Sequence, residues 1–118
     1  MRDGQPRQGA REFLRIDKTL PVRYRTPFST KWRQGHTRNI SGTGIALLAQ
    51  GFFFRGIILE LELEIPYTTP LPLTGKIVRV RRLPGQPEKE IGIHFVEIDA
   101  GEQKLLIQYI FNCQRRQS

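Results

Sequence analysis

The chain has 118 residues, with 19 Lys+Arg against 11 Asp+Glu, a formal net charge of +8 and 38% hydrophobic residues; that suffices for one domain around one core. No apolar run approaches the roughly 18 residues of a bilayer span, the opening MRDGQPRQGAREFLRI has no apolar secretory segment, and Cys113 stands alone, which sets aside an intramolecular disulfide or a multi-cysteine metal site. A cytoplasmic domain is expected, and a multidomain enzyme, a membrane span and a disulfide scaffold are not.

Residues 1–19 are polar and arginine-rich and are broken by Gly4, Pro6 and Gly9, so they read as a flexible basic arm. From Leu20 the pattern becomes short and alternating. Val22-Arg23-Tyr24-Arg25 places Val and Tyr on one face and two arginines on the other, the period of a strand. Trp32 to Ile40 and Gly44 to Ala49 read as the next two strands, joined by a tight Ser41-Gly42-Thr43-Gly44 turn, with Gly35 marking a bulge or bend. Trp32 and Tyr24 are expected in the core, and Phe52-Phe53-Phe54 as a loop tucked into a barrel mouth. Ile57 to Ile65 sends Leu59, Leu61, Leu63 and Ile65 inward and Glu60, Glu62 and Glu64 outward. In Leu73 to Leu83, with Ile77 near one end, Lys76, Val78 and Val80 are set against Arg79 and Arg81; Ile91, Ile93 and Phe95 open the last strand, with Glu90, Gly92, His94 and Val96 opposite. Six strands at this spacing predict a closed or nearly closed barrel over 20–98.

The end changes period. Asp99 with Glu102 three residues on resembles a capping box, and Leu105, Leu106, Tyr109, Ile110 and Cys113 recur at helical spacing. A helix within 99–116 is expected, plugging one mouth or lying along a seam.

Chemistry for catalysis is missing. His36 and His94 have no neighbouring ligand at metal spacing, the glutamates of one strand face suit solubility better than acid–base work, and no glycine-rich phosphate loop precedes a helix. No catalytic residue, metal or cofactor is assigned, and a protein that binds rather than converts is expected. Of the basic residues five are lysines and 14 arginines, and guanidinium forks suit phosphates and guanine edges. Composition alone leaves a polyanionic partner and a plain solvated surface both open.

Two motifs narrow the choice. Arg11-Glu12-Phe13-Leu14-Arg15 is an RxxxR, which this composition produces about 1.7 times by chance, as Arg7 with Arg11 illustrates. Asn39-Ile40-Ser41-Gly42-Thr43-Gly44 fits [DN]xSxxG, expected only about 0.01 times. With these residues, and with GKIVRVRRL and IGIHFVEID further on, the chain resembles the PilZ domain family, bacterial receptors for cyclic di-GMP. The resemblance implies a mainly β fold, a six-stranded antiparallel barrel with a C-terminal helix, and a ligand site at Arg11, Arg15, Asn39, Ser41 and Gly44, with Arg7 and Arg38 as possible additions. Asn39 stands where Asp is more usual.

Guanine O6 and N7 match an arginine fork, and phosphates take the same fork with charge assistance; Asn39 and Ser41 offer acceptors to the N1–H and N2–H₂ edge. Gly44 suits an unusual backbone angle or a close approach of ligand and chain. Ordering the arm opposes these gains, giving an expected affinity of about micromolar. The implied protein is an adapter whose arm closes on the nucleotide and shows a new surface to a downstream protein. Two alternatives remain: a small basic barrel binding RNA or single-stranded DNA, for which a strand-face aromatic stripe is missing, and a PilZ-type interaction module without ligand.

Overall fold

The computed structural model describes residues 15–117. In chain order they form β1 (Arg15–Ile16), β2 (Pro21–Arg25), β3 (Arg33–Ser41), β4 (Gly44–Ala49), β5 (Ile58–Leu63), β6 (Leu71–Arg82), β7 (Lys89–Glu97) and helix α1 (Ala100–Gln117). The strand order is β1-β3-β2-β5-β6-β7-β4, and a further β3–β4 pairing joins the ends. Strands β2 to β7 therefore close into the expected six-stranded antiparallel barrel, and closure removes the exposed edges that an open sheet would present. The two-residue β1 is an addition: it pairs with Ile40 and Ser41 of β3, further along the strand that β2 meets at Arg33–His36.

Alternation in the sequence becomes inside and outside. Leu59, Leu61, Leu63 and Ile65 are buried with Val22, Tyr24, Ile77, Ile91 and Ile93 in one core. Opposite them on β5, Glu60 and Glu62 stand beside Arg25 and Arg23 of β2 and form ion pairs with them at 2.8 and 2.5 Å. Trp32 is not in the core as expected. It is half-buried on this outer face, its ring under the guanidinium groups of Arg23 and Arg25 at 4.7 and 4.4 Å; an indole accepts such cation stacking as readily as apolar burial.

Register shifts move side chains in two further places. Ile77 continues the buried series Leu71, Leu73 and Gly75, but pairing slips between Ile77 and Arg79, so Val78, 47% exposed, and Arg79 both face outward and simple alternation fails there. The irregularity expected at Gly35 lies instead between Thr37 and Asn39. Gly35 is needed for space, because a Cβ there would sit 2.7 Å from the Leu48 carbonyl oxygen. Of the triple phenylalanine only Phe53 packs inward; Phe52 and Phe54 are exposed.

Helix α1 begins where Asp99 accepts a hydrogen bond from Gly101 N–H at 3.0 Å, a side-chain cap on an orphan donor. Leu106, Ile110 and Cys113 complete the barrel core, while Leu105 is 45% exposed and leaves the expected apolar face. The helix runs against β1 and β3. Gln103 Nε2 donates to Gly42 O at the β3–β4 turn, and Gln114 Nε2 to Arg15 O. With the sheet closed there is no seam to cover, and α1 caps the end of the barrel that holds this turn.

The expected free arm over 1–19 ends sooner than its composition implies. Ile16 and Leu20 are buried, and the buried Thr37 hydroxyl accepts from Leu20 N–H at 2.9 Å and donates to Lys18 O at 2.5 Å. Residues 15–20 are thus fastened along β3.

Candidate ligand site on the outer barrel face

The NISGTG segment ends β3, turns, and starts β4. Ser41 organises the turn: its Oγ accepts from Thr43 N–H at 3.2 Å and Gly44 N–H at 3.1 Å, and donates to Gly44 O at 3.2 Å. This is the local side-chain-to-backbone bonding for which serine is favoured in turns. The hydroxyl expected to face a ligand is engaged by its own backbone. Gly44 has a different reason from either one expected: its backbone lies outside the left-handed region, and a Cβ would lie 2.2 Å from the carbonyl oxygen of Ile93 in β7. The close approach is between two strands.

The register slip after Thr37 makes Arg38 and Asn39 share the outer face, since Thr37 and Ile40 on either side are both fully buried. Pairing then lays out transverse rows. One runs Asn39–Ala46–Gly92–Arg79 across β3, β4, β7 and β6. At about 4.8 Å per strand its ends are about 14 Å apart. The small Ala46 and Gly92 form its middle, and the Arg79 side chain lies over Gly92, whose missing Cβ would meet Arg79 Cβ at 3.3 Å. The next row toward the turn is Gly44–His94–Lys76, and on its other side lies Leu48–Glu90–Arg81.

Glu90 anchors the arginines. Its carboxylate is buried and lies 2.5 Å from Arg81 Nη2, 3.5 Å from Arg79 Nη2 and 3.7 Å from Arg38 Nη1. Burial alone would raise its pKa. The Arg81 hydrogen bond and the charges of Arg81, Arg38 and Arg79 outweigh that and hold the carboxyl below the usual glutamate range. One acid against three guanidinium groups leaves this face positive, with each arginine side chain more than half exposed.

Arg15 completes the arrangement from the other edge. It is exposed in β1, in register with Ser41, so the second arginine of RxxxR and the [DN]xSxxG turn are brought together by pairing. Arg7 and Arg11 lie outside the described residues. Arg15, Arg38, Asn39, Ser41 and Gly44 all lie at one end of β3 and its neighbours. The sequence reading missed Arg79, Arg81 and Glu90. The alternation of VRVRR against KEIGIHF carried a signal, but only the β6–β7 register aligns it with Asn39. The motif residues occupy an open surface: two hollows of about 790 and 620 Å³ are lined by other residues. Among the described residues no cluster of metal-ligating side chains occurs, and no helix is long and apolar enough to cross a membrane.

A family model described as PilZ domain matches residues 6–112. The protein YpfA of Bacillus subtilis (strain 168) is 31% identical over 121 residues, which cover 98% of this chain and 54% of YpfA; the chain thus spans about half of that relative. Among solved structures, the Bacillus subtilis inhibitor of motility MotI/DgrA superposes with a TM-score of 0.78 at 24% identity, over 87% of this chain and 50% of that one. The PilZ domain of Escherichia coli YcgR, solved with c-di-GMP, superposes with a TM-score of 0.67 at 11% identity, covering 86% and 89%.

Proposed function

Since the chain belongs to the PilZ domain family, we propose that it is a cyclic di-GMP receptor, a non-enzymatic adapter of the cytoplasm that reports the nucleotide to a downstream protein. The observation that carries this reading is the register of β1 with the β3–β4 turn, which sets Arg15 beside Ser41 and the outward Asn39. A ligand of charge −2 with two guanines meets there a positive face edged by groups that read guanine. Arg15 supplies a charge-assisted fork to phosphate or to guanine O6/N7. Asn39 presents an amide to the N1–H and N2–H₂ edge. Ser41 acts chiefly by holding the turn that displays Asn39, and Gly44 by letting β4 lie close to β7. Arg38 and Arg79, already turned outward, extend the positive surface toward the second half of the ligand, and in this reading Arg11, with Arg7 as a further addition, supplies charge-assisted contacts to the nucleotide. A solved PilZ relative with c-di-GMP bound supports the same reading.

The nucleic-acid alternative has less support. On the described strands Tyr24 and Phe95 are both buried, and the Trp32 ring on the outer face is already stacked by Arg23 and Arg25, so no stripe of Phe, Tyr or Trp rings is offered to successive bases. Isothermal titration decides between the readings. Cyclic di-GMP is expected to bind with a dissociation constant of about micromolar. Cyclic di-AMP is expected not to bind, because adenine places a donor where guanine has O6. Equal heats for both nucleotides, or none for either, would overturn the proposal.

A further inference from the structure

The barrel end away from α1 leaves aromatic surface uncovered. Its β2–β3 turn, in which Ser29 N–H donates to Thr26 O at 3.0 Å, carries Phe28 at its tip, 99% exposed. In the β4–β5 loop Phe53 turns inward against Tyr24, with ring centroids 5.8 Å apart. Its neighbours Phe52 and Phe54 are left facing out, 89% and 65% exposed. Thr26, Ser29, Phe52 and Phe54 line one hollow of about 620 Å³, so both loops border the same mouth. Exposed aromatics gathered in this way need a reason, unlike scattered single ones.

Charge at this end is mostly positive. The loops spanning 26–32, 50–57 and 83–88 contain a single acid, Glu88, with Lys31 and Arg55, while Arg33, Arg82 and Lys89 stand at the adjoining strand ends. Among the described residues, Lys31, Arg33 and Arg55 have no carboxylate within ion-pair distance. Lys89 Nζ donates to Gly51 O at 2.8 Å and lies 5.4 Å from the Phe52 ring, which fixes the phenylalanine loop in its outward course.

We propose that this mouth is a membrane-surface site, in which Phe28, Phe52 and Phe54 enter the headgroup region of an anionic bilayer and the surrounding Lys and Arg meet lipid phosphates. Stable attachment to a membrane surface takes two signals, such as apolar insertion with a basic patch, and both are present on the same loops. The phenyl groups project from two loops, Phe28 from the β2–β3 turn and Phe52 and Phe54 from the β4–β5 loop, so lipid can surround them without a preformed complement. The site lies at the opposite end from the Ser41–Gly44 turn and is independent of nucleotide.

The test is co-sedimentation of the full chain, without nucleotide, with vesicles of equimolar phosphatidylglycerol and phosphatidylcholine and with vesicles of phosphatidylcholine alone. Binding is expected to the anionic vesicles only. The Phe28→Ser/Phe52→Ser/Phe54→Ser variant keeps every charge and is expected to lose at least about tenfold in partitioning while melting like the parent. If the triple variant unfolds, Phe28→Ser alone, at a side chain already in solvent, is expected to lower the partitioning. No binding to anionic vesicles, or binding undiminished in the folded variant, would overturn the site. Binding to a polyglutamate peptide in place of vesicles would overturn it in favour of an acidic protein partner.

Discussion

Ser41 and Arg15 are neighbours across one strand pairing, yet their side chains have opposite commitments. The Ser41 hydroxyl accepts two backbone N–H groups and donates to a carbonyl; the Arg15 side chain is exposed, and its backbone oxygen is what Gln114 engages. Ser41→Ala is therefore expected to cost about 1 kcal/mol of stability and to weaken cyclic di-GMP binding through a loosened turn. Arg15→Ala is expected to leave the melting temperature unchanged and to abolish or greatly weaken binding, because it removes a charge-assisted fork from a dianion. Titration and melting of both variants beside the parent check this. Normal binding by Arg15→Ala would sink the clamp role, and a large fall in its ligand-free melting temperature would make Arg15 a structural residue.

Strands succeed or fail to show themselves in sequence according to how simply their faces alternate. β4 is bounded at Gly44 and Ala49 as the sequence predicts, and β5 keeps strict period 2, so its buried leucines are legible residue by residue. Trp32, Val78 and Gly35 were misread because a cation stack, a register slip and a close backbone approach are tertiary events without a local pattern. The site divides the same way. Asn39, Ser41 and Gly44 are legible as a contiguous motif, whereas Arg79, Arg81 and Glu90 join Arg38 only once β6, β7 and β3 are in register. Thr37 shows how an element can carry a role its own surface does not reveal. It is fully buried and ties residues 18–20 to β3 through two hydrogen bonds, so it positions the β1 segment that bears Arg15. Thr37→Val is expected to orphan the Leu20 N–H, to cost about 2–3 kcal/mol, and to speed amide exchange at residues 16–20. It is also expected to weaken nucleotide binding from beneath the surface. Unchanged exchange in those residues would show that β1 holds without this tie.

At the scale of the whole molecule the barrel closes elements far apart in sequence, and Glu90 is a point where three of them meet: β3 through Arg38, β6 through Arg79 and Arg81, and β7 through its own backbone. Its contribution is accordingly to global stability and is linked to pH. The folded protein holds the Glu90 carboxyl below its ordinary pKa, so the unfolded chain takes up this proton first as pH falls. The stabilisation is complete above the unfolded value of about 4.3 and is lost as pH falls through the folded value. The arginine partners stay charged throughout this range. Glu90→Gln is close in shape to protonated Glu90, keeps a hydrogen-bonding oxygen and lacks the charge. At neutral pH it is expected to cost about 1–2 kcal/mol, the lower part of the range for a charged hydrogen bond, because the three arginines are more than half exposed. In acid the parent converges on the variant, since protonation gives the parent the same neutral group. Urea unfolding of both proteins from neutral pH down into the acid range measures this directly. The gap in stability should be constant at and above about pH 5, then narrow steadily on the acid side. A gap that persists undiminished into strong acid would mean that Glu90 acts by shape and packing, and that its charge is not what joins the three strands.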